Sequence, residues 1–248
     1  MAVGAVSDEF ASNHSGFWIR EPCRLLTEIG VGSGHCETLV LERIRAARLE
    51  RNQMSMPAVQ VAKSDEQSPI IHTITLGFSA DPIARWIWPD AETYLATMPR
   101  FAVAFGGGGF DQSTVYKTDC GHAAAMWLPP GVASDDEAIE AIFEESIAPE
   151  RMEEIGSFFE QMDDFHPHEA CWYLPLIAAD PSQTGRGLGA ALMKHVLQKC
   201  DEQGLPAYLE SSNPRNISLY ERHGFEVMGK IETPSSPLMT PMIRQPRA

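Results

Sequence analysis

The residues best placed to do chemistry lie between Cys171 and Phe225. There Thr184-Gly-Arg-Gly-Leu-Gly189 sets glycine at three alternate positions between a strand-like apolar run, Cys171 to Ala179, and an amphipathic run, Ala190 to Gln203. A strand feeding a helix through such a loop can bring several backbone N–H groups to one point, because glycine lacks the Cβ that would hold a ligand away. The positive end of the helix dipole falls at the same place. The chemistry indicated is capture of a pyrophosphate, as carried by a nucleotide-containing cofactor. A second strand-like run, Pro206 to Glu210, then leads into Asn213-Pro-Arg-Asn-Ile-Ser-Leu-Tyr-Glu-Arg-His-Gly-Phe225.

Two cofactor classes fit the loop. Gly185-Arg-Gly-Leu-Gly-Ala190 satisfies the dinucleotide fingerprint G-x-G-x-x-G/A, and Glu210 ends the next strand, where a ribose-binding acid would stand. That reading makes the chain an NAD(P)-binding oxidoreductase. Three features oppose it. Asp180 to Thr184 separate the strand from the turn, and few residues remain after Glu210 for further βα units. Residues 112 to 128 also pair as a hairpin, which a parallel sheet does not use.

The elements around this block follow from periodicity and from turn residues. Ala58 to Ala62 alternates as a strand, and Asp65 to Phe78 is helical with Ile70, Ile71, Ile74 and Phe78 on one side. Trp86-Ile-Trp-Pro89 interrupts the pattern before a helix from Asp90 to about Phe105, which the tetraglycine Gly106 to Gly109 ends in a turn. Ser113 to Lys117 and His122 to Leu128 form an antiparallel pair. Asp135 to Asp164 holds two helices broken near Pro149. After residue 171 the order is strand, helix, strand, short helix, strand (Phe225 to Glu232) and a last strand over Met239 to Arg244. This predicts one α+β domain with a mixed sheet over 57–248, preceded by an extension, residues 1–56, partly disordered and ending in one amphipathic helix, Leu39 to Arg51.

Composition narrows the function classes. The net charge is −15, and Ser134 to Asp164 holds twelve acids against the single base Arg151. Such a field repels nucleic acid and anionic lipid and suits a cationic partner, though a solvated helix face accounts for it equally well. No apolar run approaches the ~20 residues of a membrane span, and the first twenty residues resemble no targeting leader, so the cytoplasm is the default compartment. The five cysteines are odd in number and without C-x-x-C spacing, and His166-Pro-His168 has no third ligand in view. No metal site is therefore expected. Oligomeric state is not readable.

The block 171–225 resembles the GNAT superfamily of acyl-CoA-dependent N-acetyltransferases. There the pyrophosphate loop Q/R-x-x-G-x-G/A opens a long helix, and a later N-x(6)-Y-x(3)-G-F segment completes the cofactor site. Thr184-Gly-Arg-Gly187-Leu-Gly189 matches the loop, except that Thr184 replaces the first Gln/Arg and Gln183 stands one position early. Asn213, Tyr220 and Gly224-Phe225 match the second motif. The stretch 57–248, with Asp81-Pro82, Trp86 to Pro89 and Trp127 to Gly131, is similar to an uncharacterised branch near puromycin N-acetyltransferase.

The resemblance implies a central, mostly antiparallel sheet whose parallel strands splay at the cofactor slot, and direct transfer from acetyl-CoA to a small primary amine without a metal. It implies that Gly185, Arg186, Gly187, Leu188, Gly189 and Ala190, with Thr184, hold the pyrophosphate, and that Ile177, Ala178 and Ala179 pair with the pantetheine arm. Pro175, which cannot donate to a ladder, marks the bulge that opens the slot. Tyr220 takes the general-acid position, and the alternative for it is a core tyrosine. Glu210 is the first choice of general base, with Glu169 or a water chain as alternatives, and it serves equally as a structural partner for a nearby N–H. Asn213 and Asn216 contact the cofactor or shape the turn. Trp86, Trp88 and Trp127 line an acceptor pocket or fill the core. A module that binds acyl-CoA without catalysis is the remaining alternative.

Overall fold

The computed structural model describes residues 57–247. The expected N-terminal extension and its helix over Leu39 to Arg51 lie outside the described residues. Seven strands form one sheet in the order β1-β2-β3-β4-β5-β7-β6. They are β1 (Val59–Val61), β2 (Val115–Thr118), β3 (Ala123–Leu128), β4 (Trp172–Ala179), β5 (Ala207–Ser211), β6 (Glu226–Val227) and β7 (Thr240–Arg244). Every pairing is antiparallel except β4 with β5.

β3 explains its own continuous apolar run, because all six of its residues are buried and it lies between two packed layers. On one face Ala124 and Met126 meet α1 (Gln67–Gly77), α2 (Pro82–Ile87), α3 (Ala91–Gly106), α5 (Asp136–Ser146) and α6 (Pro149–Phe165). Between α3 and β2 lies a single turn, α4 (Gly108–Asp111). On the other face Ala123, Ala125 and Trp127 pack with α7 (Leu188–Gln203) and with Tyr220 of α8 (Ile217–Arg222).

The parallel pair defines the function-bearing geometry. β4 and β5 are in register only at Trp172 with Ala207 and Tyr173 with Tyr208. Just beyond, β4 carries one more residue than β3: Tyr173 faces Leu128 and Leu176 faces Met126, with Leu174 and Pro175 opposite Trp127 alone. This β-bulge falls at Leu174 and Pro175, a position that suits a residue with no N–H to give to a ladder. From there β4 stays on β3 through Ala179, while β5 stays on β7 through Ser211. A wedge opens between them.

Helix boundaries follow cap chemistry. Asp81 accepts from the backbone N–H of Ile83 and Ala84 and precedes Pro82 at the first helical position, so α2 forms within the segment expected only to break a pattern. Pro149 likewise opens α6. The tetraglycine does not turn the chain as expected. Gly106 ends α3, Gly107 keeps right-handed helical angles, and Gly108 and Gly109 begin α4. Its role is close approach to β3: a Cβ on Gly109 would sit 2.7 Å from the Trp127 carbonyl oxygen. The strand expected over Phe225 to Glu232 is also shorter, because it pairs with β7 at Glu226 and Val227, with one further bond from Met228 N–H to the Pro241 carbonyl, before an isolated bridge between Ile231 and Met239.

The end of α1 packs directly on the splayed strand. A Cβ on Gly77 would lie 2.6 Å from the Ala178 Cβ and 3.0 Å from the Ala179 carbonyl oxygen, which cannot yield without moving β4. Gly77→Ala is therefore expected to destabilise by about 1–3 kcal/mol in chemical denaturation. Gly156→Ala on exposed α6, where a Cβ meets nothing within 4 Å, should be neutral or stabilising. Equal stability of Gly77→Ala and wild type would contradict the packing described.

Candidate active site

The wedge continues into a cavity of about 690 Å³. Its lining draws on α1 to α3, α6, β4, β5, the glycine loop and α8. The loop reaches it by way of a 3-10 turn, Pro181–Gln183, capped by the Asp180 side chain accepting from Ser182 N–H. Gly185 and Gly187 then take φ of +75° and +79°, the left-handed region that favours glycine. Gly187 caps α7 without a side-chain hydrogen bond, and the first intrahelical bond runs from Ala191 N–H to Gly187 C=O. The N–H groups of Leu188, Gly189 and Ala190 therefore have no acceptor within the helix. These donors, with the dipole of a helix of 16 residues, make a cradle suited to an anion.

Of the cofactor residues expected from sequence, Ile177, Ala178, Ala179, Thr184, Gly185, Gly187, Leu188, Gly189, Ala190, Asn213 and Asn216 all line the cavity. Arg186 does not. It is exposed and directs its guanidinium to Gln183, which itself lines the cavity. Thr184 donates its hydroxyl to the Pro181 carbonyl at 3.1 Å. The Asn213 side chain accepts from Arg215 N–H at 3.1 Å, forming an Asx turn. Asn216 precedes α8 without making a side-chain cap.

Both expected catalytic side chains face the same cavity. Tyr220 is 5% exposed, its ring edge-on to Phe225, and burial, with the nearby Asp81 charge, raises its hydroxyl above the ordinary phenol range. Glu210 opens partly into the cavity, yet protein surrounds it closely. Burial lifts its carboxyl to about 7, against the opposing effect of the Tyr173 hydroxyl, which donates to it at 2.9 Å. The Tyr208 hydroxyl, buried without a well-formed hydrogen bond, acts on the same carboxyl. Cys171 stands nearby, its thiol raised by burial and by Glu210. A carboxyl poised near neutrality is the protonation state a general base needs. Glu169 is exposed and does not line the cavity. His166 packs its ring edge-on to Tyr173 and Tyr208, each at 4.9 Å, and no group of three metal-ligating side chains forms among the described residues.

Sequence reasoning missed the other wall. Trp88 lines the cavity, but Trp86 and Trp127 do not. Phe78, Phe101, Phe105 and Phe159 do, and so do the cations Arg215 and Arg222. Asp81 joins the two sides: one carboxylate oxygen caps α2, while the other accepts the Ser212 hydroxyl at 2.6 Å. Burial raises the Asp81 pKa, against the Ser212 hydrogen bond.

A mixed sheet that parts between its one parallel pair, with a glycine cradle opening the helix beside the gap, is the GNAT fold. The structure superposes on the histone acetyltransferase HPA2 and related acetyltransferase of Corynebacterium glutamicum with a TM-score of 0.55, 23% identity, and coverage of 78% of this chain and 98% of that one. On the polyamine N-acetyltransferase of Drosophila melanogaster it does so with a TM-score of 0.53, 15% identity, and coverage of 76% and 99%. An uncharacterized N-acetyltransferase of Schizosaccharomyces pombe is 35% identical over 78 residues, which span 30% of this chain and only 32% of the yeast protein. Residues 103–225 match the family model described as Acetyltransferase (GNAT) family. Residues 103–225 are thus the part of the chain that the GNAT acetyltransferase family model identifies.

The raised Glu210 carboxyl has a signed consequence for stability. A group with a folded pKa of about 7 against an ordinary 4.5 gives stability that is complete below 4.5 and lost as pH rises through 7. Glu210→Gln removes this dependence. Wild type measured against Glu210→Gln should therefore lose about 3 kcal/mol in denaturant unfolding between pH 4.5 and pH 8. A difference that stays flat over that range would contradict the burial assigned to Glu210.

Proposed function

We propose that this protein transfers the acetyl group of acetyl-CoA to a small primary amine in a ternary complex. The observation that carries the reading is that the anion cradle, the unpaired edge of β4, Tyr220 and Glu210 all open into one cavity. In this reading the amides of Gly185 to Ala190 hold the diphosphate, and Arg215 or Arg222 supplies the countercharge that Arg186, turned to Gln183, does not. The free edge of β4 over Ile177 to Ala179 holds the pantetheine arm, and a main-chain N–H polarises the thioester carbonyl.

Glu210 then takes a proton from the ammonium. The amine nitrogen attacks the thioester carbon, forming a C–N bond and an oxyanion. As that intermediate collapses the C–S bond breaks, and the departing thiolate takes a proton from Tyr220. The nitrogen gives its second proton to the tyrosinate, which restores the phenol, while Glu210 returns its proton to solvent. A phenol in an apolar setting holds its proton until a strongly basic thiolate appears beside it. The products are an N-acetyl amine and CoA. Asp81-Pro82 and the Trp86 and Trp127 segments keep the similarity to the branch near puromycin N-acetyltransferase as part of the proposal. The relatives' substrates, N-acetylagmatine formation by the Drosophila enzyme among them, concern those proteins.

Binding and chemistry can be tested separately. Acetyl-CoA at 100 times its Kd should stabilise the fold by ~2.7 kcal/mol, read as a rise in Tm, while NAD should give none. Gly187→Asp should abolish that rise, because it sets a carboxylate where the diphosphate lies, although Asp tolerates a positive φ and caps helices. Retained stabilisation by acetyl-CoA would show that the loop does not bind it. Tyr220→Phe should lower kcat about 10²- to 10⁴-fold with little change in acetyl-CoA affinity. An unchanged kcat at saturating substrates would remove Tyr220 from the mechanism.

A further inference from the structure

The acceptor half of the cavity carries a second message, which rests on the acetyl-transfer reading. Among the described residues four charged ones line the cavity: Asp81, Glu210, Arg215 and Arg222. The two arginines stand on the 3-10 turn Pro214–Asn216 and on α8, beside Asn213, Asn216 and Tyr220 on the cofactor side. Asp81 is already committed, with one oxygen accepting from the N–H groups of Ile83 and Ala84 and the other from the Ser212 hydroxyl. Glu210, whose Oε2 accepts from Tyr173 at 2.9 Å, is thus the lining carboxyl left to meet an incoming ammonium.

Past Glu210 the wall is aromatic. Tyr173, which donates to Glu210, meets the ring of Phe105 edge-on at 6.0 Å and 87°. Phe105 stacks on Phe101 at 5.0 Å and 23°, and Phe101 meets Trp88 at 5.4 Å and 68°. Phe105, Phe101 and Trp88 line the cavity with Phe159, Met162 and Met239. Arg151 of α6 cannot serve an anion there, because its guanidinium donates to the Trp86 and Ile87 carbonyls at 2.5 and 2.9 Å. A second ammonium or a carboxylate carried into this chamber would lose its hydration and find no counterion. An apolar ring would exchange water for contact with rings.

We infer that the acceptor is a monoamine whose body is apolar and of aromatic size, anchored by its nitrogen at Glu210, and that the chamber selects against diamines and amino acids. The distinction lies in what the far end of the chamber lacks: diamine recognition needs a second anion there, and amino-acid recognition needs a cation.

The test is thiol release from acetyl-CoA with three probes, 2-phenylethylamine, 1,4-diaminobutane and phenylalanine. The expected kcat/KM for 2-phenylethylamine exceeds each of the other two by about 100-fold or more. Phe159→Glu places a carboxylate on a half-buried part of the chamber wall and should narrow the preference over 1,4-diaminobutane by about tenfold. Equal or better use of 1,4-diaminobutane or phenylalanine by wild type would overturn the inference and leave the acetyl-transfer reading intact. An unchanged preference in folded Phe159→Glu would do the same. If wild type binds acetyl-CoA yet acetylates no amine, the acetyl-transfer reading falls and takes this inference with it. The wild-type panel decides even where the variant fails to fold.

Discussion

The loss of pairing between β4 and β5 after Tyr173 is the constraint on which the site depends. A sheet normally satisfies the main-chain groups on both edges of an interior strand, and an interior edge left open is costly unless something else occupies it. The opening coincides with the bulge at Leu174 and Pro175, where β4 carries one residue more than β3 and proline has no N–H to give to a ladder. The strands then diverge, each held on its outer side by an intact antiparallel ladder. The wedge is stable because β3 and β7 anchor its walls, not because the walls hold each other.

Everything else in the site is placed by reference to that opening. α7 begins beside it, so the free amides of its first turn and the glycine loop face the same space as the unpaired strand edge. Glu210 follows from the strand period: Tyr208 and Glu210 share one face of β5, opposite Ala207 and Leu209, which pack with α7. On that face Glu210 meets Tyr173 across the divergence, and burial there lifts its carboxyl toward neutrality. The helices α1 to α3 and α6 close the other end with aromatic and methionine side chains. The single hydrogen bond from Ser212 to Asp81 ties that apolar end to the loop after β5. One cavity therefore has a polar end at the glycine loop and an apolar end among the helices, with Glu210 between them.

Much of this was legible in the sequence, and what was not has physical reasons. The glycine loop, α7, the β2–β3 hairpin, the break at Pro149 and the bulge at Pro175 are local, since each is set by residues adjacent in the chain. The glycine-loop side of the cavity was readable for the same cause. The aromatic side was not, because Phe101, Phe105, Phe159 and Met239 come from distant segments and individually have the pattern of core residues. Periodicity alone does not tell a wall from a core. Gly106 to Gly109 misled because composition suggests a turn, whereas tertiary packing against Met126 and Trp127 sets the need for glycine. The Asp81-Pro82 pair was a helix-start signal passed over in favour of the tryptophans that follow it. Arg186 was assigned by motif position, and only the structure places its guanidinium on Gln183.

The most direct test of the central claim is a crystal structure with CoA bound. The account predicts the diphosphate on the amides of Gly185 to Ala190 and the pantetheine arm in the wedge, hydrogen-bonded to β4 between Ile177 and Ala179, with β4 and β5 still paired only at Trp172 and Tyr173. Density for CoA at another surface, or β4 and β5 zipped together with the arm outside the sheet, would contradict it.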